Sequence, residues 1–321
     1  MPQTSFIDAL LPSGFGRNER LERISGLIDW SRLEALVKAV RPGDEGRPPY
    51  EPLAMLKALL LQQWYGLSDP GLEEALLDRF SFRRFCGFAL DAATPDETTI
   101  CRFRNALKDE GLGEALFAEV LRQLEGAGFI VKTGTLIDAT LVRSSARTPP
   151  SGSTPKGQES RAAADPDASW TRKGGNRQLF FGYKAHVGVD QGSGLVRSRL
   201  LTPAKVYESE VADSLILGDE KAVYADKAYE KKARRDALKA RGVKDRIQHR
   251  RNKHQKALPH WQKVRNQLIG RVRGAVERTF SVLKRRYGWD RARYGGLKAN
   301  AFHLDLSLIA FNLRTAAAKA A

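Results

Sequence analysis

The sequence predicts an α/β protein in which a mixed five-stranded sheet is flanked by helices, with an all-helical domain ahead of it. Three features carry that expectation. Apolar residues recur at helical spacing through residues 1–130. After Gly134 short β-branched runs take over, the first being TLIDATLV at 135–142. From about residue 206, helix-patterned and strand-patterned segments alternate, as they do when helices cover a sheet. A chain of 321 residues has room for two domains, expected at 1–130 and 131–321.

Taken in order, the first strong helix follows Pro52, a favourable first-turn residue, and sets Leu53, Leu56, Leu59 and Leu60 at helical spacing. A second fits 70–79. A third starts near Asp96 or Thr98 and puts Ile100, Phe103 and Leu107 on one face. The fourth, EALFAEVLRQLEGAG, runs into glycines that suit a helix stop. After the strand at 135–142, residues 143–178 are rich in Ser, Pro, Gly and Ala and read as a long flexible loop. GYKAHVGVD (182–190) alternates like a strand, SGLV turns into another at 195–202, and 206–218 reads as a helix. KAVYAD (221–226) is a fourth strand, a helix covers about 229–240, VKDRIQH (243–249) is a fifth strand, and a long helix spans roughly 261–287.

Composition narrows the function. The net charge of +17 is concentrated: residues 221–293 hold 24 Lys and Arg against 6 Asp and Glu, whereas residues 1–130 hold 15 against 20. A cationic segment of that length points to a polyanion, most simply nucleic acid, and Trp261, Tyr287, Trp289 and Tyr294 lie within or beside it. No apolar run reaches the roughly 18 residues of a membrane span. Cys86 and Cys101 are too few for a disulfide framework, and the first 20 residues lack a basic stretch followed by an apolar one. A cytoplasmic location is therefore expected.

Three carboxylates stand out against this background. Asp138 sits inside an apolar strand, where an unpaired acid is costly. Asp226 closes AVYAD, at the strand end where ligands gather in open sheets. Glu277 is the lone acid of residues 272–289, set among Arg273, Arg278, Lys284, Arg285 and Arg286. Each has a plain alternative: Asp138 pairs with a structural arginine, Asp226 caps the following helix, Glu277 pairs with Arg273 one turn away. Together, on separate elements of one sheet, they could converge on divalent cations; Mg²⁺ suits such donors and a two-metal phosphoryl displacement.

At these residues the chain resembles the bacterial insertion-sequence transposases of the DDE type, specifically the insertion-sequence-five group. LIDATLV is similar to that family's first-acid motif and YADKAYE to its second. DPDASWTRKGGNRQLFFGYKAHVGVD resembles its second block, and VRGAVERTFSVLK its final-glutamate signature. That signature runs Tyr, two residues, Arg, three residues, Glu, six residues, Lys. Arg273, Glu277 and Lys284 match it, and Gly270 stands where the Tyr is expected. The resemblance implies an RNase-H-like catalytic domain, two Mg²⁺ or Mn²⁺ ions held by Asp138, Asp226 and Glu277, and metal-dependent cleavage at element ends followed by strand transfer. It also implies terminal inverted repeats and target DNA as partners, at least a homodimer on DNA, and a helical N-terminal domain for end recognition or dimerisation. Rival readings are a related endonuclease without strand transfer and a non-enzymatic DNA-binding regulator.

The cations expected against DNA are Arg172, Lys173 and Arg177 in WTRKGGNR, Lys227 after the second acid, and Arg273, Arg278, Lys284, Arg285 and Arg286 on the long helix. Trp170 either stacks on an unpaired base or anchors its loop. Lys184 faces either the site or solvent. A small basic face around Arg83, Arg84, Arg102 and Arg104 offers the N-terminal domain a further contact.

Overall fold

The computed structural model describes residues 12, 14–40, 50–146, 165–173, 178–251, 255 and 257–320. The chain divides into two compact units, one of residues 1–127 with 305–321 and one of residues 128–304.

The described part of the first unit's leading segment is helical: α1 (Glu19–Ser25), α2 (Trp30–Val37), α3 (Pro52–Tyr65), α4 (Asp69–Asp78), α5 (Phe80–Cys86), α6 (Glu97–Asp109) and α7 (Leu112–Gly126). Short polar side chains start four of them. Asn18, Asp29, Ser68 and Asp96 each accept a backbone N–H from the first turn. α3 carries Met55, Leu56, Leu59, Leu60 and Leu61 with almost no exposure, so it is the unit's central helix. α1, α2 and α5 have no counterpart in the helices read from the sequence.

The second unit is a six-stranded mixed sheet with helices. Its strands are β1 (Thr135–Arg143), β2 (Ser169–Lys173), β3 (Gln178–Asp190), β4 (Val196–Pro203), β5 (Ala222–Ala225) and β6 (Lys244–Ile247). The path runs β2-β3-β1-β5-β6, with β4 also paired to β3. β3 is antiparallel to β1, β2 and β4, whereas β1, β5 and β6 are mutually parallel. β2 takes residues 178–182 of the long β3, and β4 takes the rest. Gly182 lies where that exchange occurs. A Cβ there would sit 2.1 Å from the Val142 carbonyl oxygen, so the close crossing of β3 over β1 requires glycine.

Five strands correspond to the expected ones; β2 is the sixth, and it falls inside the stretch expected to be a flexible loop. Of that stretch, residues 147–164 and 174–177 lie outside the described residues. The helix expected at 206–218 is shorter, α8 (Glu208–Val211) continued by a 3-10 turn (Ala212–Leu215). A 3-10 turn (Lys227–Tyr229) follows β5, then α9 (Lys232–Ala240). The basic helix is α10 (His260–Tyr287), and α11 (Leu297–Lys319) has no counterpart in the sequence reading. α11 begins in the second unit and ends in the first.

One core cluster joins Ile137 of β1 to Leu215, Val223, Ala225, Tyr229, Leu238 and Ile247. On the other side α10 packs along β1 and β5, burying Ile269, Val276, Phe280, Leu283 and Tyr287. Strand alternation sends two neighbours opposite ways: Ile137 enters the cluster, and Asp138 turns toward α10.

Candidate functional site

β1 and β5 are parallel neighbours in the register Thr135 with Val223 and Leu136 with Tyr224. Two residues beyond that register come Asp138, still on β1, and Asp226, just past the end of β5. The Arg273 guanidinium of α10 donates to Asp138 Oδ2 at 2.9 Å, and the Ala139 N–H donates to Oδ1 at 2.9 Å. Burial lifts the Asp138 carboxyl to about 6. Arg273 and the Ala139 amide act against that rise, while the charges of Asp226 and Glu208 add to it. Asp226 caps the 3-10 turn, its Oδ1 accepting from Ala228 N at 2.6 Å. The capping role considered for Asp226 is met, and so is the structural arginine considered for Asp138.

Sequence reasoning missed a third acid here, Glu208 at the start of α8. Burial raises its carboxyl, Lys184 opposes that, and Asp226 raises it again. The elements beneath explain its place. Arg234, 3% exposed, donates to Asp213, to the Ser209 carbonyl at 2.5 Å and to the Tyr229 carbonyl. One guanidinium thereby locks α8 against the turn that Asp226 begins. Below it lies Tyr229, fully buried, with no partner for its hydroxyl. Burial, then the charges of Asp138, Glu208 and Asp226, push that phenol up. Arg273 Nε is a second buried polar atom without a partner.

Glu277 lies one turn beyond Arg273 on α10 and is exposed. Among the described residues no hydrogen bond or ion pair engages its carboxylate, and none joins it to Asp138 or Asp226. Nor do any three His, Cys, Asp or Glu among them stand close enough to hold an ion. The structure thus sets Asp138 and Asp226 at neighbouring strand positions, with Arg273 in contact with the first and Glu208 acting on both only through its charge, and leaves Glu277 a turn beyond Arg273. Asp138 and Asp226 offer carboxylate oxygens, the donor type that a hard divalent cation takes.

The expected DNA contacts separate into two groups. Lys184 is buried, donating to the Val206 carbonyl at 2.9 Å and facing Glu208 at 3.7 Å, so neither solvent nor a DNA backbone meets it. Trp170 is half-buried against Phe181, with ring centroids 5.3 Å apart, as the loop-anchoring reading requires. Arg273 is held by Asp138. Lys284 is half-buried, while Arg172, Lys227, Arg278, Arg285 and Arg286 are exposed. Lys173 ends β2, and Arg177 lies outside the described residues. On α10 the exposed Arg271, Arg278 and Arg285 repeat every seven residues, roughly 10 Å apart, along one line. Part of the cationic excess is internal: Arg235 and Arg265 bind Asp245 and the Ile247 carbonyl, fastening β6 to α9 and α10. Trp289 is buried, stacked on His303 at 5.0 Å, and is no stacking platform. In the first unit Arg83 and Arg104 are buried, bound to the Ala89 carbonyl and to Asp69, so the small basic face keeps only Arg84 and Arg102 near its surface.

A family model described as a transposase DDE domain matches residues 131–313, and one described as a transposase domain (DUF772) matches residues 11–106. Among solved structures, the cryo-EM structure of a piggyBac transposase synaptic complex with hairpin DNA is similar. Its TM-score is 0.49 at 11% identity, over 95% of this chain and 73% of that chain.

Proposed function

This chain belongs to the transposase DDE-domain family, and we propose that it cuts insertion-sequence ends and joins them to target DNA with Asp138, Asp226 and Glu277 as its metal-binding acids. It is a DNA transposase and acts on DNA; the insertion-sequence-five group is the branch its motifs fit. Two Mg²⁺ or Mn²⁺ ions, when bound, would supply Lewis-acid stabilisation of the entering and leaving oxygens. The chain's own contribution is placement and charge. Asp138 and Asp226 present oxygens from rigid neighbouring strands. Glu277 approaches from α10, one turn from the arginine that reaches Asp138. Arg273 positions a scissile phosphate by exchanging the Asp138 carboxylate for a phosphate oxygen, a partner of similar geometry. Arg271, Arg278 and Arg285 track a backbone without reading bases.

Terminal inverted repeats and target DNA are the proposed substrates, a homodimer the smallest assembly that pairs two ends, and the cytoplasm the place of action. No helix among the described residues is long and apolar enough to cross a membrane. The observation that carries the reading is Asp138 on β1, bound by Arg273, beside Asp226 at the end of the parallel neighbour β5. Labelled element ends incubated with Mg²⁺ test it. Cleavage and joining by the native chain, both lost in Asp138→Asn, support it. Cutting without joining would reduce the chain to a nuclease, and binding without cutting to a regulator.

A further inference from the structure

The two ends of α10 differ in what they bury. Its buried side chains begin at Ile269, and none of residues 260–268 is buried. Yet that leading part is not polar. Trp261, Val264 and Leu268 follow one another at positions i, i+3 and i+7 on one helix face, 59%, 40% and 56% exposed. Single apolar side chains on a surface are ordinary, whereas three in a helical row form a contact face. Its rim is cationic. No acid occurs between residues 260 and 276, and Lys263 is exposed within the row. Arg250 is exposed next to His249, whose ring meets that of Trp261 at 5.3 Å.

A second surface repeats the pattern with its charge reversed. In the first unit, Leu77 of α4 and Phe80 of α5 are 61% and 45% exposed, and the Phe80 ring meets that of Phe15 at 4.7 Å. α4 contains no basic residue. Its Glu74, about one turn before Leu77, and its Asp78, next to Leu77, are both exposed. Like charge opposes a meeting of two α10 faces. A DNA backbone would leave Val264 and Leu268 in water, since neither can donate a hydrogen bond to a phosphate. An apolar surface with an acidic rim satisfies both the row and its cations. We propose that Trp261, Val264 and Leu268 of one copy dock on the Leu77 and Phe80 surface of a second copy of this chain. The inference rests on the pairing of two copies in the proposed function and names the surfaces that make it.

Sedimentation of the full chain over a range of concentrations, in the absence of DNA, tests it, with Leu268→Glu and Leu77→Lys alongside. The native chain is expected to self-associate, and each variant to weaken that association at least about tenfold. Both positions are exposed, so each variant should melt within about two degrees of the native chain. Mixing the two variants is expected to recover association, because each supplies the surface that the other lacks. A native chain that stays monomeric overturns the proposal, and so does a mixture that fails to recover. Association that either variant leaves unchanged overturns it as well. Weaker DNA binding by Leu268→Glu with unchanged self-association assigns the row to DNA instead. A variant that loses its fold is replaced by Val264→Glu or Asp78→Lys, read in the same way. End cleavage is followed separately: cutting by a chain that does not associate through these surfaces removes this inference and leaves the metal-dependent function standing.

Discussion

Each unit contains a part-buried arginine–aspartate pair, and the two are built differently. In the first unit Arg104 sets its fork on both oxygens of Asp69, at 2.5 and 2.8 Å, and Gln62 donates to the same carboxylate at 2.6 Å. In the second, Arg273 reaches Asp138 through one nitrogen at 2.9 Å, keeps Nε without a partner, and sits under a carboxyl lifted to about 6. The first pair is saturated and shields its charges; both carboxylate oxygens are engaged by the fork. The second keeps binding capacity on both sides. An internal tie and a site that must trade partners thus differ in how completely their hydrogen bonds are satisfied, although a sequence shows only Arg and Asp in each.

The widest separation between the two pairs is expected in activity. Asp138→Asn should reduce end cleavage by on the order of 10³-fold or more while the melting temperature stays within a few degrees, because the amide still offers Arg273 an acceptor. Arg104→Met should do the reverse. It leaves the part-buried Asp69 without its bidentate partner and should cost roughly 3 kcal/mol in chemical denaturation. Arg273→Met removes a half-satisfied partner and should cost no more than about 1–2 kcal/mol. Equal losses at Arg104 and Arg273 would erase the distinction between the two pairs.

Legibility in the sequence follows the same divide. Asp138 and Asp226 stood out because an acid inside or closing an apolar strand needs a partner, and the structure supplies one to each: Arg273 to Asp138 and the Ala228 N–H to Asp226. Glu208 did not, because VYESEV reads as the polar side of any short helix, and its neighbours Lys184 and Tyr229 are supplied by distant strands and turns. β2 lay hidden in a Ser- and Gly-rich stretch, where composition outweighs a five-residue strand signal. α11 is apolar on nearly all sides, so it has no amphipathic period to detect. RRYGWDRARY shows another limit: its aromatics lie among cations in the sequence, yet Trp289 and Tyr287 are buried. Local sequence does not distinguish an aromatic that waits for a ligand from one already packed.

A smaller effect sharpens the comparison through pH. Burial, helped by the Lys184 charge, holds His186 down at about 4, below its usual 6.5. The unfolded chain therefore binds the extra proton first. Stability from this residue is intact above about 6.5 and drains away as pH falls toward 4, by up to about 3 kcal/mol. His186→Gln should flatten the stability profile across that window, as read by urea midpoints at several pH values, with the Arg104 pair unaffected. The smallest effect concerns the arginine line of α10. Arg278→Gln and Arg285→Gln should each reduce the slope of log affinity against log salt by about 1, without changing which DNA sequences are preferred.

The helix shared between the units has a consequence for biosynthesis. Trp64 of α3 donates its indole N–H to the Ala310 carbonyl at 2.8 Å, and Gln63 accepts from Ser307 at 2.9 Å. α3 thus waits for partners encoded some 240 codons later. The N-terminal bundle completes its core after the catalytic sheet has been translated, so a nascent or prematurely stopped polypeptide carries an unfinished front end.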